Sequence, residues 1–121
     1  MEAEKTGIDN EKSGPESIIE EKTEMQAQIM QYYGLQHQIM KLKEELIELA
    51  NECKWSSATN TFLCSFLCEF ADVKNMMEQI ESKMTKAQLD LVLSQQVVKC
   101  ERQISRIEEL KNKETNGNPN L

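Results

Sequence analysis

Hydrophobic positions recur at helical spacing from residue 17 to about residue 111, and no stretch alternates with the period of two that a half-buried strand shows. A short amphipathic segment starts at Ser17, carries Ile18, Ile19, Met25, Ile29 and Met30, and ends near Tyr32-Tyr33-Gly34, where glycine permits a turn. A first main helix is predicted from about Leu35 to Cys53. Its apolar residues Leu35, Ile39, Leu42, Leu46, Leu49 and Cys53 share one arc, and Lys41, Glu44, Glu45, Glu48 and Glu52 lie on the far side. Lys54 to Asn60 reads as a loop with several candidate N-caps. A second main helix is predicted from about Thr61 to Lys83. Thr85, with Gln88 three residues on, has the form of a capping box and opens a third helix to about Lys111, with Leu89, Leu93, Val97, Cys100, Ile104 and Ile107 along one side. The expected fold is all-α: a bundle of three main helices plus a short N-terminal helix, completed by oligomerisation. Residues 1–16 and 114–121, polar and without periodicity, are expected to be disordered arms around a domain spanning 17–113.

One position breaks the apolar pattern of the second main helix. Counting about 100° per residue, Phe62, Phe66, Val73, Met76 and Ile80 all fall within about 60° of Glu69, so a carboxylate stands inside the stripe that should be buried. Unpaired and ionised, it would cost several kcal/mol to bury there, so it needs a cation, a proton or water. Asp72 lies at the edge of the same stripe. On the preceding helix Glu45 and Glu48 have the same i, i+3 spacing, which puts two carboxylates on one face. If the two helices pack together, the four carboxylates form a hard, all-oxygen site suited to Mg²⁺. For Glu45 and Glu48 alone, a solvated acidic face is the more natural reading.

Composition narrows the classes. The 121 residues suit one domain. Hydrophobic residues make up only 39% and aromatics 5%, a modest core that an all-helical domain of this size often completes by oligomerising. A net charge of −7 argues against a nucleic-acid polymer or an anionic membrane as the main partner. No apolar run approaches the roughly 18 residues of a membrane span, and the first residues carry no apolar signal region, so a cytoplasmic protein is expected. Cys53, Cys64, Cys68 and Cys100 sit in helical patterns without a C-x-x-C pair and read as small core residues.

The order of these residues resembles a known family. Tyr33-Gly34, Gln38, Lys41, Glu44-Glu45-x-x-Glu48, then Glu69-x-x-Asp72, and late in the chain Lys99-x-x-Arg102 and Arg106-Ile107, are similar to the MazG-like branch of the all-α nucleoside triphosphate pyrophosphohydrolases. That family's pattern is E-E-x-x-E, a spacer, then E-x-x-D. The likeness runs from about residue 24 to 110; the cysteine-rich segment from Phe62 to Cys68 departs from it. The resemblance implies hydrolysis of a nucleoside triphosphate to the monophosphate and pyrophosphate, with Mg²⁺, or Mn²⁺ in its place, held by Glu45, Glu48, Glu69 and Asp72. It also implies a homodimer or homotetramer whose helices surround the site.

Within that picture Glu45 or Glu48 is the candidate base, and Glu44 and Lys41 stand behind the metal ligands. Lys41 also has the spacing of an ordinary helical ion pair with Glu44 or Glu45. Gln38 and Trp55 are candidates for base recognition, although a tryptophan so placed is more often a loop anchor. Lys99, Arg102 and Arg106 share one face of the last helix, as a phosphate clamp or as a solvated face. His37 is given no role. The competing class is a non-catalytic helical assembly or nucleotide-binding regulatory protein.

Overall fold

The computed structural model describes residues 14–116. Helices α1 (Pro15–Tyr33), α2 (Leu35–Asn51), α3 (Cys64–Glu81) and α4 (Lys86–Asn116) make up most of them. Between α2 and α3 lies a hairpin of two short antiparallel strands, β1 (Trp55–Ser56) and β2 (Thr61–Phe62). The chain divides after Lys83 into two compact units, α1 to α3 with the hairpin in one and α4 in the other. The expected arms at 1–13 and 117–121 lie outside the described residues.

In the first unit, α1 is a full helix of 19 residues rather than a short one. It starts at Pro15, whose fixed φ suits a first helical position, two residues before the predicted start. Gly34 separates α1 from α2 in a single residue. Its φ of 85° with ψ of 160° belongs to glycine alone, its N–H donates to the Met30 carbonyl at 2.8 Å, and its own carbonyl accepts from Gln38 N–H at 3.1 Å.

The core of this unit is small and half polar. Met30, Val73 and Met76 are its buried apolar side chains, and Gln26, Gln38 and Gln79 are buried with them. The amides are tied across the helices. Gln26 Nε2 donates to Asn75 Oδ1 and to Glu78 Oε1, both at 2.9 Å, and Gln38 Nε2 donates to Gln79 Oε1 at 2.7 Å. Buried amides paired in this way avoid the desolvation cost of an unmade hydrogen bond and fix the register of the helices they join.

Helix α2 packs chiefly on α3. Gln38 is buried, Leu42, Glu45, Leu49 and Glu52 are half-buried, and Leu35, Ile39 and Leu46 are exposed. The predicted apolar arc therefore does not form the contact with α3; only its edge, Leu42 and Leu49, is covered.

Where a loop and the start of a helix were expected, residues 55–62 form the hairpin, and α3 begins at Cys64. Aromatic packing accounts for it: Trp55 faces Phe62 across the strands, edge to ring at 5.3 Å, and Phe62 stacks on Phe66 at 5.8 Å. Asn60 takes the left-handed turn position at φ 55°, and its Oδ1 accepts from Trp55 Nε1 at 3.3 Å.

The reading of the four cysteines as core residues is not met, for all four are free and exposed. Cys53 follows the end of α2. Cys64 and Cys68 lie about 140–180° around α3 from the buried Val73, and Cys100 is on α4, which buries none of its residues.

In the second unit the capping box forms as expected. Gln88 N–H donates to Thr85 Oγ1 at 3.1 Å, and Thr85 N–H donates to Gln88 Oε1 at 2.9 Å. Helix α4 continues to Asn116, beyond the predicted end near Lys111, so residues 114–116 are helical rather than part of a disordered tail. Lys113 in the last turn complements the helix dipole. Leu91, Leu93, Val97, Ile104 and Leu110 are each more than half exposed. No described helix is long and apolar enough to cross a membrane.

Candidate functional site

The facing of α2 and α3 brings together acidic residues that are distant in sequence. One carboxylate oxygen each from Glu45, Glu48 and Glu69 lies within 4.8 Å of the others. Glu45 and Glu69 are half-buried and Glu48 is exposed. On both half-buried residues Oε2 is shut off from solvent without a hydrogen-bond partner. Such an atom forfeits its hydration and gets nothing from the protein in return.

The electrostatics follow from this crowding. Burial pushes the Glu45 carboxyl above its usual range, and a hydrogen bond with Glu48 and the charges of Glu48 and Asp72 push it further, against a small opposing pull from Lys41. Glu69 rises for the same first reason, with the charges of Glu48, Asp72 and Glu52 adding to it. Asp72, exposed one turn beyond Glu69, thus acts on both half-buried carboxyls. Lys41 supplies countercharge, its Nζ 3.0 Å from Glu44 Oε2 and 3.7 Å from Glu45 Oε1. Glu44 itself is exposed. Three carboxylate oxygens at this spacing, from residues of which two carry a dry oxygen, have the donor set of a hard divalent cation.

A cleft of about 430 Å³ adjoins the cluster and includes Lys41, Glu44, Glu45 and Asp72 in its lining. The rest of its wall contains Tyr33, His37, Gln38, Asn75, Met76 and Gln79. The Tyr33 and His37 rings stack at 4.5 Å. His37 Nδ1 is 2.9 Å from Gln38 Oε1, and Gln38 Nε2, besides its bond to Gln79, is 3.8 Å from the Met76 sulfur.

The structure brings Glu45, Glu48, Glu69, Asp72, Lys41 and Glu44 into one region, as their spacing suggested, and sets Gln38 in the cleft wall with its amide already engaged. Trp55 is elsewhere in the same unit, anchoring the hairpin through Phe62 and Asn60. Lys99, Arg102 and Arg106 belong to α4, where they are exposed. Tyr33, His37, Asn75 and Gln79 were not picked out from the sequence as parts of a site, nor was Glu52. For Gln79 the signal was present: like Glu69, it is a polar residue beside the apolar stripe of α3, about 60° from Met76. Compared with protein-family models, with curated proteins and with solved structures, the chain finds no match.

Proposed function

We propose that this chain is a Mg²⁺-dependent nucleoside triphosphate pyrophosphohydrolase of the MazG-like, all-α kind, cleaving a ribo- or deoxyribonucleotide to its monophosphate and pyrophosphate in nucleotide-pool control. The observation that carries the reading is the pair of buried, unpartnered oxygens, Glu45 Oε2 and Glu69 Oε2, on facing helices and grouped with Glu48. A cluster left in that state by its own chain is complementary to a cation. The adjoining cleft, with a stacked aromatic pair and several amides, has the size and lining of a small-molecule site.

Glu45, Glu48, Glu69 and Asp72 would hold the metal, with Mn²⁺ able to replace Mg²⁺ on oxygen ligands. Bound there, the ion supplies positive charge against the triphosphate and acidifies water. Hydrolysis adds a water oxygen to the α-phosphorus and breaks the bond to the α–β bridging oxygen, releasing pyrophosphate. Glu45 or Glu48 takes the proton that the water gives up. Glu48 is open to solvent and Glu45 is half-buried beside it. Lys41 balances the charge of Glu44 and Glu45.

The rival, a non-catalytic assembly or nucleotide-binding regulatory protein, draws on the exposed apolar residues of α2 and α4. It gives no reason for two dry carboxylate oxygens. The exposed free thiols suit a reducing compartment, so we place the protein in the cytoplasm. Glu48→Gln and Glu69→Gln separate the readings. Each should lower Mg²⁺-dependent turnover by at least about a hundredfold, within the range a general base or metal ligand supplies, while circular dichroism keeps its helical signal. Turnover that survives both substitutions would remove the site.

A further inference from the structure

The cleft wall opposite in character to the carboxylates is made of amides whose directions are fixed by their partners. Gln38 Oε1 can only accept, so His37 donates to it from a protonated Nδ1, with the ring held by its stack on Tyr33. Gln38 Nε2 is then turned to the Gln79 Oε1 acceptor at 2.7 Å, with the Met76 sulfur, a weak acceptor, on the same nitrogen at 3.8 Å. The relay runs one way, from His37 through Gln38 to Gln79. It uses the oxygen of Gln79 and leaves that residue's Nε2 hydrogens without an acceptor among the described residues, on a side chain 3% exposed that lines the cleft. Asn75 repeats the pattern: its Oδ1 accepts from Gln26 Nε2 at 2.9 Å, and its Nδ2 hydrogens are unused beside the same cleft. This wall therefore offers donors.

We propose that it reads the exocyclic group of the base and prefers a carbonyl oxygen there, so that keto bases are selected over amino bases. The inference rests on the carboxylate cluster being the triphosphate site, which puts the base in the adjoining cleft. In a nucleotide the group projecting farthest from the sugar is the 4-position of a pyrimidine or the 6-position of a purine. The other pyrimidine carbonyl lies beside the glycosidic bond. A 4-oxo or 6-oxo group accepts from Gln79 Nε2, whereas a 4-amino or 6-amino group sets donor against donor and forfeits that hydrogen bond.

The test is pyrophosphate release with Mg²⁺ from two pairs of substrates that exchange oxo for amino, dUTP against dCTP and ITP against ATP. The expected result is a kcat/KM about tenfold or more higher for the oxo member of each pair. In Gln79→Met, which keeps the volume and removes the donor, that ratio should collapse toward one. Equal rates within both pairs, or preference for the amino members, overturn the inference while leaving the hydrolase reading intact. An oxo preference that persists unchanged in Gln79→Met overturns the assignment to Gln79. Release from none of the four overturns the hydrolase reading and this inference with it. The wild-type ratios decide the matter even if Gln79→Met does not fold.

Discussion

Glu45 and Glu69 each keep one oxygen shut off from solvent without a hydrogen-bond partner, and burial pushes both carboxyl pKa values up. Burial and neighbouring charge raise them above the ordinary value of 4.5 in the folded state, so the fold retains protons that the unfolded chain releases. Their contribution to stability is fully present below 4.5 and is lost as pH rises through the raised values. Glu78 has the opposite sign. Hydrogen bonds from Gln26 and Lys22 hold it below 4.5, so its contribution is present above that value and is lost as pH falls through the lowered one. In chelator, the two raised carboxyls therefore make thermal stability decline as pH rises above 4.5. Saturating Mg²⁺ should remove that decline, and a concentration a hundredfold above Kd adds about 2.7 kcal/mol. Melting curves measured over that rise in pH that Mg²⁺ leaves unmoved would contradict a metal site at this cluster.

Among the elements, what the sequence made legible was local. The Thr85–Gln88 box caps α4 through both of its hydrogen bonds, and Gly34 breaks the chain at the expected place because only glycine sits easily at its φ and ψ. Glu69 was visible as a carboxylate in an apolar stripe, and Val73 and Met76 on that stripe are indeed buried. Which side of α2 faces α3 was not legible. Periodicity locates an apolar arc but not its partner, and here Gln38, Leu42, Glu45 and Leu49 face inward while Ile39 and Leu46 stay exposed. The hairpin escaped for a related reason. Two-residue strands are too short to show a period, and the Trp55–Phe62 pairing that holds them spans the turn. The amide relay was hidden because each glutamine looks like an ordinary helical polar residue. Only the packing of α2 on α3 reveals that Gln38 and Gln79 meet.

For the whole molecule, the disproportion between core and surface is the main fact. Met30, Val73 and Met76 are the buried apolar side chains of the described residues, while Ile39 and Leu46 on α2 and Leu93, Val97 and Ile104 on α4 remain exposed. Apolar surface on this scale is removed from water most directly by association with further copies of the chain. If the chain forms the homodimer or homotetramer that the family resemblance implies, sedimentation equilibrium should return two or four times 14.0 kDa, and Leu46→Glu or Ile104→Glu should shift the distribution toward the single chain. A wild-type protein that sediments as one chain and still turns over substrate would show that assembly is not needed.

The account as a whole depends on which phosphoanhydride bond is broken. We would follow the reaction of a panel of nucleoside triphosphates by phosphorus NMR, with Mg²⁺ and with chelator. The account predicts resonances of a nucleoside monophosphate and pyrophosphate, growing together and only with the metal. Diphosphate with inorganic phosphate would mean cleavage at the γ-phosphorus, and unchanged triphosphates across the panel would mean no hydrolase; either result contradicts it.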